Sequence, residues 1–277
     1  MNSSKKSYKE LAIPYFREIF NIIDDVMVSN HIPCYLIGAN AIALEFLRNG
    51  IQPGRGTKDI DFAVMISSMN EYNHIIKDLV TNGFTKVKAP WTFYHNRFGI
   101  AVDILPYGHI EQDEKFSFSG KNFDLHVLGF KEVLGSSTKI SIEERIARIP
   151  LLPGMVLLKL IAWNDRPEVR GTDLKDILDI IINYFEIDFD AIVEHHYDLL
   201  EVDDIDTIRI AARVLGREVK SYLSESSKLS KRITTILTEN LTGKTDSVIS
   251  KIWSTQKGWN VQYAYTILSE FKKGITQ

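Results

Sequence analysis

The spacing of apolar residues changes near residue 140, and this change limits the chain to a small set of folds. Before it, short apolar runs that end at Gly or Pro alternate with stretches of helical spacing, as in a sheet flanked by helices. From Ile142 onward the apolar residues recur at helical spacing almost throughout. The pattern therefore predicts an α+β domain over 1–140 and an all-helical domain over 141–277.

In the first domain, turn and breaker residues predict the order of the elements. An opening helix lies within 6–29, and a strand over 33–37 is followed by a turn at Gly38 and a helix over 39–48. The strand that begins at Asp59 alternates at first and then becomes wholly apolar, as interior strands do. The other predicted elements are a helix over 69–82, strands over 92–96 and 99–105 with Pro106 as the stop, and a strand pair within 116–128.

The second domain is predicted to be a series of helices. They cover 154–163, 174–185, 190–200 and 205–223, and two or three shorter helices follow up to residue 273. Thr172 is the expected cap of the helix over 174–185. On that helix Asp176 and Asp179 are three residues apart, so they share one face.

Composition is that of a globular protein, with 44% hydrophobic and 25% charged residues. No apolar run approaches the roughly 18 residues of a membrane span. The single cysteine, Cys34, cannot form an internal disulfide and excludes a cysteine-based zinc site. We expect a cytoplasmic protein that makes no membrane contact.

Charge is distributed unevenly along the chain. The net charge is −3, yet residues 209–277 carry twelve Lys and Arg against five Asp and Glu. A basic segment on an acidic body is suited to a polyanion such as RNA. Solvated helix faces explain the same charges equally well, so both interpretations stay open.

Three aspartates are candidate metal ligands. Asp59 and Asp61 are two residues apart on a predicted strand, so both side chains project from the same face. Asp103 lies among apolar residues of a later strand, where a carboxylate needs a metal or another partner. Mg²⁺ prefers such oxygen ligands and completes its shell with water and phosphates. Gly38 ends a strand and opens a helix, so its backbone can approach a triphosphate closely.

Together these residues resemble a known family. The series Ile37-Gly-Ala-Asn-Ala, Arg55-Gly-Thr-Lys-Asp-Ile-Asp and Val102-Asp103 resembles the polymerase-β-type nucleotidyltransferase signature of a glycine turn, an Asp-x-Asp strand and a third acidic strand. More narrowly, it resembles the branch that contains the abortive-infection type E toxins, over about residues 32–182. The resemblance implies a nucleotidyltransferase-type mixed sheet flanked by helices, a helical domain that completes the active-site cleft, Mg²⁺ or Mn²⁺ as cofactor and a nucleoside triphosphate (NTP) as substrate.

That branch also has a helical part with a lysine, an arginine and a Lys/Arg-Asp-x-x-Asp run. The matching residues are Lys159, Arg166 and the run from Lys175 through Asp176 to Asp179. The resemblance implies active-site roles for Lys159 and Asp176, with Arg166 and Asp179 beside them. From the residues alone, Lys159 in an apolar helix needs an anionic partner. A structural network, in which Lys159 or Arg166 pairs with Asp176, is the alternative.

The resemblance also implies a set of residues around the nucleotide, with one departure from the family pattern. Ala39 stands where Ser or Gly is usual, so a hydroxyl contact to phosphate is missing. The side-chain amide of Asn40 or backbone donors are the candidate replacements. The implied nucleotide-binding residues are Gly38, Ala39, Asn40, Thr57, Lys58, Arg166 and Asp179.

The predicted function is therefore Mg²⁺-dependent transfer of a nucleoside monophosphate from an NTP to an acceptor hydroxyl. The acceptor is RNA, a protein side chain or a small hydroxylated molecule, and a toxin would have a cognate antitoxin as partner. Two alternatives belong to other classes. One is a catalytically degenerate transferase fold that serves as a binding or regulatory protein, which Ala39 supports. The other is a helical interaction module, which would make the N-terminal constellation accidental.

Overall fold

A computed structural model of the chain describes residues 13–54, 56–87, 89–110, 115–117, 124–142, 144–201, 204–243 and 246–277. The chain divides into two compact units, Met1–Leu151 and Leu152–Gln277. The first combines a sheet with helices, and the described part of the second contains helices without strands. The predicted fold class, an α+β part followed by an all-helical part, is confirmed.

The first unit contains a five-stranded mixed sheet with the strand order β1-β2-β5-β4-β3. Strands β2 and β5 pair in parallel, whereas the other three pairs are antiparallel. The interior strand β2 buries Phe62, Ala63 and Val64 almost completely, as its apolar sequence predicts. The strands are β1 Cys34–Ile37, β2 Asp59–Ile66, β3 Phe84–Lys86, β4 Thr92–His95 and β5 Ile100–Gly108.

Helices in this unit bury their apolar faces. Phe20 of the first helix packs against Phe62 of β2, with ring centroids 6.1 Å apart. The third helix starts at a cap in which the Ser68 hydroxyl accepts the Glu71 N–H, while the Glu71 carboxylate accepts the Ser67 N–H. The helices are α1 Phe16–Ser29, α2 Gly38–Arg48, α3 Met69–Thr81 and α4 Phe130–Gly135.

Two small hairpins follow the main sheet. Strands β6 (Lys115–Ser117) and β7 (Asp124–His126) confirm the predicted strand pair within 116–128. Strands β8 (Thr138–Ile142) and β9 (Arg145–Ile149) form the second hairpin, and β9 contacts β1. The predicted domain boundary near residue 140 falls inside β8.

The second hairpin corrects the prediction that helical structure begins at Ile142. Ala147 and Ile149 are buried in alternation with exposed neighbours, which is a strand pattern. Ile146 obscures that pattern because it is apolar and yet 57% exposed. The Arg145 guanidinium fixes the hairpin by ion pairs of 2.7 and 2.6 Å to Asp24 and Asp25 of α1.

Strand β5 corrects a second prediction, because it continues through Pro106 to Gly108. Its pairing with β4 ends at Asp103, whereas its pairing with β2 continues to Gly108. Pro106 therefore lies beyond the β4 partner, where a missing N–H costs no hydrogen bond to that strand. The short strand β3 was not predicted.

Seven α-helices and a short 3-10 turn make up the described part of the second unit. Helix α6 begins at Gly171 with Arg170 as N-cap, so the predicted capping role of Thr172 is wrong. No helix in the described ranges is long and apolar enough to cross a bilayer. The elements are α5 Leu152–Asp165, α6 Gly171–Ile187, α7 Phe189–His195, the 3-10 turn Tyr197–Leu199, α8 Thr207–Glu225, α9 Ser227–Glu239, α10 Val248–Lys257 and α11 Val261–Thr276.

Candidate functional site

One row of residues crosses the sheet of the first unit and contains two of the predicted metal ligands. Asp61 of β2 faces Asp103 of β5 in the parallel register. On the other sides, Asp61 faces Ile37 of β1, and Asp103 faces Thr92 of β4. Neighbouring strands lie about 4.8 Å apart, so the register brings these two aspartates side by side.

Side-chain hydrogen bonds hold Asp103 and the residue that follows it. The Thr92 hydroxyl donates a 2.5 Å hydrogen bond to one of its carboxylate oxygens. The buried Tyr72 hydroxyl donates to the carbonyl of the next residue, Ile104, at 3.0 Å. Burial and the neighbouring Asp103 charge raise the pKa of Tyr72 above its ordinary value, so this phenol stays protonated. Thr92 was not among the predicted site residues, because the sequence does not show the register that places Thr92 opposite Asp103.

Asp59 begins β2 and is exposed. The Thr57 hydroxyl donates a short hydrogen bond to its carboxylate. The Asn40 side chain, only 1% exposed, donates its amide N–H to the Asp59 carbonyl at 3.0 Å and so ties α2 to β2. Lys58 is exposed beside them, and Arg55 of the predicted motif lies outside the described residues.

Gly38 packs against Asp61. Its φ of +69° lies in the left-handed region that favours glycine, and a Cβ at this position would overlap the Asp61 carboxylate. Gly38 and the half-buried Ala39 form the first turn of α2, where backbone N–H groups have no partners within the helix. A backbone with hydrogen-bond donors therefore lies next to a carboxylate.

The described side chains do not converge into a ready-made metal cluster: among them, no group of three or more His, Cys, Asp and Glu is arranged to hold an ion. The donor set nevertheless fits Mg²⁺, which typically takes one or two carboxylates. Asp61 and Asp103 are in register for that role. Asp59 lies two residues along the same face, and its carboxylate is turned to Thr57, so a third contact needs a side-chain rotation.

The second unit holds a buried ion cluster. The Lys159 ammonium on α5 lies 2.9 Å from an Asp173 oxygen and 2.7 Å from an Asp176 oxygen, both on α6. Burial disfavours the charged lysine, but the two carboxylates outweigh it and raise the pKa of Lys159. The predicted pairing of Lys159 with Asp176 is present, whereas Asp173 was not predicted. Arg170 lies 3.6 Å from the second Asp173 oxygen.

The remaining predicted residues of this unit lie on its surface. Asp179 forms a 2.9 Å ion pair with Lys257 of α10. Arg166 is exposed just after α5. The neighbouring Asp165 pairs with Arg232 of α9 at 2.6 Å. Lys257 could not be selected from the sequence, because 78 residues separate it from Asp179.

No family profile and no curated protein matches the chain. Among solved structures, an antigenic nucleotidyltransferase-like protein from Paracoccidioides brasiliensis has 14% identity and a TM-score of 0.43, over 74% of this chain and 94% of that one. The solution structure of the antibiotic-resistance factor ANT(2″)-Ia has 13% identity and a TM-score of 0.36, over 65% of this chain and 96% of that one. The crystal structure of ANT(2″)-Ia in complex with adenylyl-2″-tobramycin has 11% identity and a TM-score of 0.38, over 64% of this chain and 90% of that one. Similarities this weak do not indicate an activity or a substrate for this chain.

Proposed function

We propose that this protein is a Mg²⁺-dependent nucleotidyltransferase that moves a nucleoside monophosphate from an NTP to an acceptor hydroxyl. The observation that carries the proposal is the parallel register of Asp61 with Asp103, with Gly38 packed on the Asp61 carboxylate. It combines two adjacent carboxylates with a glycine turn whose N–H groups face outward from a helix start. Mg²⁺ is bound by one or two carboxylates together with substrate phosphates, and a helix start is suited to those phosphates.

Asp61 and Asp103 would hold the cation, with Asp59 as a third ligand once it leaves Thr57. When bound, Mg²⁺ supplies charge neutralisation at the phosphates and at the acceptor oxygen. The protein itself positions the carboxylates that would bind the ion. Thr92 fixes the Asp103 carboxylate by its hydrogen bond.

The nucleotide side of the site is assigned to the start of α2 and the loop before β2. Gly38 and Ala39 offer backbone N–H groups to a phosphate, and this helix start favours negative charge. Asn40 holds the turn through its bond to the Asp59 carbonyl rather than offering that N–H to phosphate. Lys58 is exposed and close in sequence to Asp59, so its ammonium can approach a triphosphate. The Thr57 hydroxyl donates to the Asp59 carboxylate and so orients it.

The roles of Lys159 and Asp176 in this reaction stay predictions. Their ion pair, shared with Asp173, also explains why a lysine is tolerated in an apolar helix. Arg166 and Asp179 stay predicted nucleotide contacts of the same unit. Substitution of each of these four residues distinguishes a structural role from a catalytic one. Loss of a structural ion pair lowers the free energy of unfolding, whereas loss of a phosphate contact weakens NTP binding.

RNA is the acceptor that we propose, because residues 209–277 carry the basic excess that a polyanion requires. A cognate antitoxin partner follows only from the toxin resemblance and is proposed on that basis.

A catalytically degenerate transferase fold is the second candidate function. Ala39 favours it, since no hydroxyl is available there for phosphate.

The decisive experiment incubates the protein with α-labelled NTPs, Mg²⁺ or Mn²⁺ and total RNA. The variants are Asp61→Ala and, as a matched control, Asp190→Ala, which removes an exposed carboxylate from α7. We expect label in RNA with the wild type and Asp190→Ala, and none with Asp61→Ala. Absence of transfer to RNA, to protein or to small hydroxylated acceptors with every NTP would reject the enzyme.

Calorimetry of NTP binding separates the two candidate functions. An enzyme binds NTP more tightly with Mg²⁺, and Asp61→Ala removes that difference. A degenerate fold that lost its metal chemistry binds NTP equally with and without Mg²⁺, or not at all.

A further inference from the structure

An aromatic pair lies on the surface of the second unit, at the start of α11. The rings of Trp259 and Tyr263 meet edge to face, with centroids 5.0 Å apart. Both side chains are half-buried, unlike Trp163 and Trp253, which are 3% and 1% exposed. Gly258, with φ of +67°, ends α10 and turns the chain so that Trp259 precedes the new helix. This turn leaves part of the indole accessible to a ligand.

Arg209 lies at the Tyr263 end of this aromatic pair. Burial and the hydrogen bond to Asp206, 3.1 Å long, raise the pKa of Tyr263 to about 12, and the nearby Arg209 charge opposes that rise. Arg209 is also 3.7 Å from Glu270, with its side chain 48% exposed. Tyr263 and Arg209 meet at Asp206, because one Asp206 carboxylate oxygen accepts both the Tyr263 hydroxyl and the Arg209 backbone N–H at 3.1 Å. The Arg209 guanidinium remains open to solvent.

The cations around Glu270 outnumber their acidic partner. The buried Glu270 carboxylate pairs with Arg213 at 2.5 Å and with Lys273 at 2.8 Å, besides Arg209. Burial alone would raise the pKa of Glu270, but Lys273 and Arg213 hold it below its ordinary value. Three cations therefore share one carboxylate, and Arg209 is the most weakly paired of them, at 3.7 Å.

We propose that Trp259, Tyr263 and Arg209 form a binding surface for single-stranded RNA, called here the Trp259 surface. An aromatic ring accepts any base by stacking, and an adjacent cation holds the phosphate that follows it. A duplex hides its base faces, so the Trp259 surface selects unpaired nucleotides. Residues 209–277, which contain it, have the basic excess that RNA binding requires.

This surface is linked through α10 to one of the predicted site residues. Lys257 precedes Trp259 by two residues, and its ammonium pairs with Asp179 of α6 at 2.9 Å. The Trp253 indole of the same helix donates to the Leu174 carbonyl at 2.8 Å, so α10 is fixed on α6. The proposal rests on the proposed function only in naming the bound RNA as the acceptor strand. RNA binding itself needs no NTP chemistry.

The test measures fluorescence anisotropy of a labelled 12-nucleotide oligouridylate with the full chain, over a range of salt concentrations. The variants are Trp259→Ala, Trp259→Phe and Arg209→Ala. The control is Tyr197→Ala, because Tyr197 is a 60% exposed aromatic residue outside the surface. Double-stranded RNA of equal length and poly-glutamate serve as competitors. Circular dichroism confirms that each variant is folded.

We expect Trp259→Ala to weaken binding about fivefold or more, with most of the affinity restored in Trp259→Phe, because stacking needs only an aromatic face. Arg209→Ala should lower the slope of log affinity against log salt by about 0.7, the value for one single-strand phosphate contact. Tyr197→Ala should bind as the wild type. Duplex RNA and poly-glutamate should compete weakly.

Wild-type affinity in Trp259→Ala, or an equal loss in Tyr197→Ala, would overturn the proposal. Competition by poly-glutamate as strong as by single-stranded RNA would show a general polyanion or acidic-protein surface and would overturn it as well. Asp61→Ala keeps the two proposals separate. It should bind the oligonucleotide normally, so loss of transfer in that variant leaves the Trp259 surface intact. If Trp259→Ala kept normal transfer and unchanged RNA binding, the Trp259 surface would be rejected and the proposed nucleotidyltransferase function would be kept.

Discussion

Gly38 packs directly against Asp61: a Cβ at position 38 would overlap the aspartate carboxylate unless that side chain moved, and the backbone φ of +69° itself favours glycine. Two separate constraints therefore act on one glycine. The first concerns backbone strain, and the second concerns the position of a proposed metal ligand. A pair of glycine substitutions separates them.

We expect Gly38→Ala to lower the free energy of unfolding by more than the roughly 1 kcal/mol of left-handed strain and to abolish Mg²⁺-dependent NTP binding, because Asp61 must move. Gly50→Ala is the matched control. Gly50 has φ of +78° but nothing within 4 Å of its added Cβ. Urea unfolding and calorimetry measure both effects, and equal results for the two variants would contradict the role of Gly38.

The crossing of α8 and α11 should tolerate no added methyl group. A Cβ on Gly216 would overlap the Phe271 carbonyl, and one on Gly274 would overlap the Arg213 carbonyl. We expect Gly216→Ala and Gly274→Ala each to lower the free energy of unfolding by about 3 kcal/mol. Gly171→Ala, where an added Cβ meets nothing within 4 Å, should change it by less than about 0.5 kcal/mol. Urea titrations of the three variants give the comparison.

The buried cluster of Lys159, Asp173 and Asp176 should be fragile to single substitution. Lys159→Met leaves two carboxylates buried without their cation, which should cost about 3 to 5 kcal/mol of unfolding free energy. Adding Asp173→Asn and Asp176→Asn to Lys159→Met should recover much of that loss, since the buried charges are then gone. Chemical denaturation of the single and triple variants measures this, and a triple variant less stable than Lys159→Met would contradict it.

His95 should make the protein less stable in acid. Its ring is 4% exposed, stacks on Phe98 with centroids 4.5 Å apart and meets the edge of Phe84. Burial lowers the pKa of His95, although Asn82 opposes that shift. The unfolded state then binds more protons, so the contribution is complete above about pH 6.5 and is lost as pH falls below it.

The pH dependence of the urea midpoint between pH 7.5 and 5 tests this assignment. His95→Phe should flatten the curve, because the ring that replaces the imidazole cannot be protonated. His195→Gln, a change at a side chain that is 64% exposed, should leave the curve unchanged. A curve that keeps its wild-type slope in His95→Phe would assign the acid sensitivity to other groups.

Several elements followed from local sequence because each shows its own periodicity. Helices α1 and α3 bury one face, and β2 is apolar over most of its length, so their positions were predictable. The hairpin β8–β9 was not, since the exposed Ile146 breaks the alternation. The continuation of β5 past Pro106 was also missed, because it depends on where β4 ends.

The same division applies to the candidate site. The sequence by itself placed Asp59 and Asp61 on one strand face, Gly38 at a strand-to-helix turn and Lys159 in an apolar helix, because these features depend on near neighbours in the chain. Only the tertiary structure decided which groups meet them. The facing position of Asp103, its bond to Thr92 and the ion pair of Asp173 with Lys159 each join two separate strands or helices, so they depend on strand register and helix packing. Strand pairing and helix packing are selected by burial of the whole core, which no local pattern records.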